Sequence, residues 1–140
     1  METLKKAITI ETTVHAPIEK VWKYWSGPEH IIKWSSGHPD WHTPRAETDL
    51  RVGGKFSSRM EAKDGSMGFD FGGVYTEVKT NQFIAYTLGD DRKVRTTFTA
   101  TDKGTHIKQI FEMEDTNPEE MQRGGWQTIL DNFKKYTESN

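Results

Sequence analysis

GGWQTILDNFKKY, residues 124–136, is the stretch on which the fold turns. Trp126, Ile129, Leu130 and Phe133 recur at i, i+3, i+4 and i+7, the spacing of one face of an α-helix, and Tyr136 extends the stripe. Upstream, Asn117 is placed to cap the helix and Pro118 to occupy its first position. Glu119 and Glu120 suit the positive end of its dipole, and Met121 adds to the apolar side. A long final helix with a single apolar stripe needs a surface to lie on. The pair Gly124-Gly125 is out of keeping with that helix, because each Gly costs about 0.8–1.0 kcal/mol relative to Ala in a helix interior. Two readings fit the pair. Either the helix crosses another segment too closely for a Cβ, or its first turns form a soft point that bends or unwinds.

The rest of the sequence supplies the surface. From residue 46 to 114 strand follows strand with a period of two. KFSSRMEA (55–62) places Phe56, Ser58, Met60 and Ala62 together. MGFDFGGVYTEV (67–78) places Met67, Phe69, Phe71, Gly73 and Tyr75 on one face, with Val74 and Val78 on the other. FIAYTL (83–88) is a short strand, and KVRTTFTAT (93–101) groups Val94, Thr96, Phe98 and Ala100. THIKQIFEM (105–113) groups Ile107, Gln109, Phe111 and Met113, with Ile110 opposite. Turn chemistry separates these runs at Gly53-Gly54, KDGS, TNQ, GDDR and DKG. TDLRV (48–52) is the expected strand before Gly53-Gly54, and the Ser-, Pro- and Asp-rich residues 35–49 read as a loop merging into it. At the front, KAITIETTV (6–14) puts Ile8, Ile10, Thr12 and Val14 on one strand face. Pro17 then opens a helix carrying Ile18, Val21, Trp22 and Trp25, and the capping-box spacing of Ser26 and Glu29 predicts a second short helix through PEHIIKW (28–34). The order is strand, two short helices, about six antiparallel strands and one long helix. This is an α+β plan in which helices cover one face of a meandering sheet, and it occupies residues 1–140 as a single domain.

The totals narrow the class. Hydrophobic residues make up 33% and charged residues 29%, too polar for a membrane protein, while sixteen aromatic side chains argue against disorder. A net charge of −2 points to neither a phosphate backbone nor an anionic bilayer, so no nucleic-acid partner is expected. Cys is absent, which removes thiolate chemistry and suits a reducing, cytoplasmic setting. The N-terminal residues alternate instead of forming an apolar run, so neither a signal peptide nor membrane insertion is expected.

Three stretches carry a family resemblance. FGGVYTEVKTNQFIAYTL (71–88) resembles the central strand-turn-strand signature of the family named for activators of the heat-shock-protein-90 ATPase. GGWQTILDNFKKYTE (124–138) resembles its terminal helix, and APIEKVWKYWSGPEHIIKW (16–34) its first strand-to-helix corner. The resemblance implies the START-like, or SRPBCC, superfamily and its helix-grip (Bet v 1-like) fold, a curved antiparallel sheet of six or seven strands around a long C-terminal helix. It implies a cavity between sheet and helix that holds hydrophobic small molecules in many members and an active site in some. The eukaryotic co-chaperones of the family carry an additional N-terminal domain. The present sequence starts at the first strand of the helix-grip pattern, so a bacterial-type single-domain member is expected.

On this fold the inward positions Phe56, Met60, Phe69, Phe71, Tyr75, Tyr86, Phe98 and Phe111 face a roof of Trp126, Leu130 and Phe133. They either interdigitate as solid core or line a pocket in which Tyr75, Tyr86, Thr96 and Gln109 orient a guest. Gly124 and Gly125 are the candidate gate. Burying about 200 Å² of an aromatic or lipid-like guest at roughly 25 cal/mol per Å² offers about 5 kcal/mol before the costs of binding. A metal site built from His30, His38, Asp40 and His42 is disfavoured, since Pro39 breaks a helical i, i+4 pairing. No cofactor or metal is expected. Catalysis is disfavoured because the inward positions are apolar, hydroxyl or amide, Asp70 alternates outward, and His15 and His106 are peripheral. Trp34 and Trp41 either pin their loop to the body or form an exposed aromatic rim. The expectation is a monomer that binds a hydrophobic small molecule, with a stress-related role. The alternative is a co-chaperone-like module acting on heat-shock-protein-90, and a cavity enzyme ranks third.

Overall fold

A computed structural model of the chain describes residues 6–36 and 39–140. Seven strands are joined in one antiparallel sheet: β1 (Ala7–Val14), β2 (Trp41–Thr48), β3 (Lys55–Ala62), β4 (Gly68–Lys79), β5 (Phe83–Leu88), β6 (Lys93–Thr101) and β7 (Gly104–Glu112). Two short helices, α1 (Ile18–Ser26) and α2 (Pro28–Trp34), follow β1, and the long α3 (Glu119–Ser139) closes the chain. The strand order is β1-β7-β6-β5-β4-β3-β2, so the first strand is an edge beside the last, and α1 and α2 carry the chain to the far edge. The sheet curls around α3, which is the helix-grip architecture.

The period-two pattern sets the faces. Ile8, Ile10 and Val14 of β1, Val94, Thr96 and Phe98 of β6, and Ile107, Gln109 and Phe111 of β7 all turn inward and are buried. Register pairs them directly: Ile8 opposite Phe111, Ile10 opposite Gln109, Thr96 opposite Gln109. Ala100 keeps their phase but lies near the end of β6 and is exposed. The free edge of β1 is covered by side chains of α3. Arg123 donates to the carbonyl of Thr9 at 3.1 Å, Gln127 to that of Glu11 at 3.4 Å, and Lys134 to that of Thr13 at 2.6 Å. These carbonyls recur at every second residue of the strand, and their donors lie along one side of the helix, so the helix occupies an edge that otherwise invites foreign pairing.

Several local expectations need correction. The strand predicted over 48–52 lies earlier, at Trp41–Thr48. Its pairing with β3 shifts between His42 and Arg45, where Pro44 lacks an N–H for the ladder. Residues 49–54 instead form a turn that ties Gly53 and Gly54 to the backbone of Tyr75. Val78 does not share the outward face of Val74. A register shift between Tyr75 and Glu77 sets Val78 opposite Ile84, and Val78 packs against the core.

The helix starts are right, but the capping differs. Pro17 and Pro118 are the N-caps rather than the first helical residues, and neither start has a side-chain cap. Asn117 donates to the Glu114 carboxylate instead, and Gln122 takes over the start of α3. Its Oε1 accepts the Glu114 N–H at 3.0 Å, and its Nε2 donates to the Asn117 carbonyl at 2.7 Å. Gly27 is the N-cap of α2, while Ser26 donates back to the Trp22 carbonyl at 2.7 Å, so no capping box forms.

Candidate functional site: a cavity between sheet and helix

Aromatic side chains collect in two places inside the curl. Under α1 and α2, Trp25 sits 4.9 Å from Phe133, 5.5 Å from Phe98 and 5.0 Å from Trp34, with Phe133 5.0 Å from Trp34. Trp34 is buried and its indole N–H donates to the Tyr24 carbonyl at 3.0 Å. This end is solid. Further along the sheet, Phe56 lies 4.7 Å from Tyr86, 5.1 Å from Tyr75 and 6.2 Å from Phe71, and Phe71 lies 6.2 Å from Trp126. Here the rings stand around a space instead of filling it.

That space is a cavity of about 550 Å³, within the size range of small-molecule sites. Its sheet wall includes Phe56, Ser58, Met60, Phe69, Phe71, Tyr75, Ile84, Tyr86 and Gln109, and its roof is Gly125, Trp126, Ile129 and Leu130. Trp25, Ile31, Trp34, Ser35, Ser36 and Trp41 bound it on the helix side, and Arg92 and Glu114 also reach it. Phe69 is 51% exposed and lies 5.9 Å from the half-buried Trp41, so these two rings form an aromatic rim. Gly72 and Gly73 lie mid-strand in β4, where an added Cβ would run into the carbonyl oxygens of Phe56 and Thr87. The close approach of these strands depends on glycine there.

Four residues expected at the site stand outside the lining. Phe98 and Phe133 belong to the solid end, fully packed. Phe111 lies behind Trp126, stacked on it at 4.2 Å with an 8° interplanar angle, and so sets the orientation of the indole. Thr96 is buried and accepts a hydrogen bond from Gln109 Nε2 at 3.1 Å. Gly124 is likewise outside the lining, whereas Gly125 is part of it. A Cβ on either glycine meets nothing within 4 Å, so close packing is not the reason for the pair. The helix runs unbroken from Glu119 to Ser139 through both.

The polar groups differ in their commitments. The Tyr75 hydroxyl shares a 2.7 Å hydrogen bond with Thr48, and burial pushes its pKa up against that bond. Burial, with Tyr75 as neighbour, pushes the Tyr86 phenol well above its ordinary value, and the charge of Arg92 opposes the shift. Tyr86 is therefore a neutral donor at physiological pH. Arg92 is not among the site residues expected from sequence, because GDDR reads only as a turn. It stands two residues before Val94, in phase with the inward side chains of β6, and that phase was the available signal. Its presence, with Glu114, corrects the expectation that the inner surface holds no ionisable group.

The remaining candidates lie elsewhere. His30 Nδ1 is 2.8 Å from the Tyr136 hydroxyl, and its ring stacks on Tyr24 at 4.0 Å. His42 faces Glu61 at 3.9 Å, and His38 lies outside the described residues. Among the described residues no three His, Asp or Glu side chains converge as metal ligands. Asp70 points outward towards Arg59 at 3.5 Å, while His15 pairs with Glu138 and His106 with Glu11, all away from the cavity. No described helix is long and apolar enough to cross a membrane.

A curled seven-stranded sheet gripping a C-terminal helix over an apolar hollow defines a START-like protein, a fold that commonly binds ligands. The family model described as Activator of Hsp90 ATPase homolog 1-like protein matches residues 15–138, and the chain belongs to that family. An AHSA1-like protein from Aeromonas hydrophila is 40% identical, with a TM-score of 0.91 over 96% of this chain and 93% of that one. A protein from Cytophaga hutchinsonii is 59% identical, with a TM-score of 0.82 over 95% and 92% of the two chains. A Chromobacterium violaceum protein, 24% identical with a TM-score of 0.83 over 96% and 98%, shares the fold. No functionally curated protein matches the chain.

Proposed function

We propose that this protein binds a small, largely apolar molecule, aromatic or lipid-like, in the hollow between sheet and α3. The observation that carries the reading is the cavity of about 550 Å³ walled by aromatic rings that do not fill it. An apolar space of this size, with a few polar groups to orient a guest, is the usual form of a small-molecule site. Trp126 supplies a flat surface held in place by Phe111, and Phe56 and Phe71 face it across the gap. Gly125 at the roof leaves that part of α3 without a side chain, and the Gly pair makes it the easiest part of the helix to deform for guest entry.

An NMR titration with a mixed panel of aromatics, sterols and lipids tests this. Shifts centred on Phe56, Tyr86 and Trp126 are expected. Shifts confined to the outer sheet around Arg95 and Thr97 overturn the reading. A second reading, a co-chaperone-like module, draws on the family description and on the exposed Met67 and Phe69. It requires stimulation of heat-shock-protein-90 ATPase activity by the protein without any small molecule.

A further inference from the structure

If the hollow holds an apolar guest, as proposed above, one of its ends calls for something else. Arg92 lies at the β5–β6 turn, just before β6, and Glu114 just past β7, while Phe98, six residues on from Arg92, is at the solid end. That separation is about 20 Å along an extended strand. The cavity is thus polar at the end away from the solid cluster, where Arg92, Glu114 and Tyr86 line it.

The polar end is rich in unused donors. Arg92 has a side chain only 16% exposed, and its Nε donates to Asp90 Oδ2 at 2.7 Å. Among the described residues its two terminal nitrogens have no hydrogen-bond partner. The Tyr86 hydroxyl likewise opens onto the cavity without a protein partner among the described residues, and Arg92 is near enough for its charge to act on that phenol. Asp90 is 54% exposed and takes its hydrogen bond from Nε, so the terminal nitrogens keep their hydrogens for another acceptor. Glu114 lines the same cavity, but its carboxylate takes the Asn117 amide and its backbone is tied to Gln122. A guanidinium fork matches a planar carboxylate with two parallel hydrogen bonds, and a neutral phenol adds a third donor.

We infer that the guest is amphipathic, an apolar body ending in a single carboxylate. The Arg92 guanidinium and the Tyr86 hydroxyl hold the carboxylate, while Phe56, Phe71 and Trp126 hold the body. A guest without an acceptor group leaves those donors empty in a largely desolvated place, and an unfilled buried donor is costly.

Three fluorescent probes with one body and different heads test the inference: 1-pyrenebutyrate, 1-pyrenebutanol and 1-pyrenebutylamine, titrated against the full chain. The carboxylate is expected to bind roughly tenfold more tightly than the alcohol, the range of a charge-assisted hydrogen bond. In Arg92→Gln that preference falls to within about twofold, and an unchanged far-ultraviolet circular dichroism spectrum shows that the variant is folded. Tyr86→Phe gives a partial loss of the same preference. Equal binding of acid and alcohol, or tightest binding of the amine through Glu114, overturns the inference and leaves the apolar pocket standing. Failure of all three probes to bind removes both readings together.

Discussion

The two aromatic clusters of this protein have similar residues and opposite outcomes. At one end Trp22, Trp25, Trp34, Phe98 and Phe133 pack against one another, mostly edge to face, and only Trp25 and Trp34 also border the cavity. At the other Phe56, Phe71, Tyr75, Tyr86 and Trp126 contact their neighbours in a chain around an empty centre. The difference is what lies between sheet and α3. At the solid end α1 and α2 wedge their Trp side chains into the gap, and Phe133 meets them from the long helix. At the open end α1 and α2 reach only the side of the cavity, through Trp25, Ile31 and Trp34, and α3 presents Gly125 in the roof. Packing to crystal-like density is the norm for interiors, so a hollow persists only where the backbone holds the walls apart. Here the clamp of α3 onto the β1 edge fixes the height of the roof.

This contrast can be broken by mutation. The largest effect is expected from Phe133→Ala, which opens a hole in the solid end at a side chain with 0% exposure and costs about 3–5 kcal/mol. Urea denaturation measures it, and a loss below about 1 kcal/mol would show that the solid end is not close-packed. Trp126→Ala acts at the open end. It removes a half-buried ring whose space is already partly empty, so the stability loss is about 1–2 kcal/mol, with a roughly tenfold loss of affinity for a bound aromatic guest. Equal stability losses from the two variants would erase the distinction.

Gly124→Ala with Gly125→Ala sharpens the comparison from the opposite side. Both positions have open space for a Cβ, so the double variant gains about 1–2 kcal/mol in helix propensity, read as a higher urea midpoint. Stopped-flow binding of a guest already shown to enter is expected to slow, and an unchanged association rate would remove the gating role. The smallest effect concerns the closed end of α3. The hydrogen bond and charge of Lys134, with the His15 N–H, hold the Glu138 carboxylate below its ordinary pKa, against partial burial. A carboxylate lowered in the folded state adds stability above the unfolded pKa, and that contribution is lost as pH falls through the folded value. Glu138→Gln should therefore narrow the stability difference between pH 7 and about pH 3, measured by thermal melts at the two values.

The order of elements and most strand faces were legible because period-two and period-3.6 patterns are local. Ile107, Gln109 and Phe111 turn inward as their alternation requires, and Trp126, Ile129, Leu130 and Phe133 follow one helical stripe towards the interior. Bulges were not legible. The shift at Tyr75–Glu77 reverses Val78, and the irregularity around Pro44 lets a strand form where a loop was expected. Helix ends were readable only by position, since Ser26 and Asn117 found partners other than the backbone donors they were suited to cap.

By itself the sequence determined the architecture and the family, because amphipathic periods, turn residues and the 71–88 and 124–138 motifs are properties of neighbouring residues. Only the tertiary structure decided which aromatic rings close on one another and which stand around a void. It also decided that Arg92 faces the void and that the glycines of α3 have open space beside them. The physical reason is that a cavity is the remainder left when distant elements meet at fixed distances. Its volume depends on the curl of the sheet, the register of β1 on β7 and the seating of one helix, and no local pattern encodes that sum.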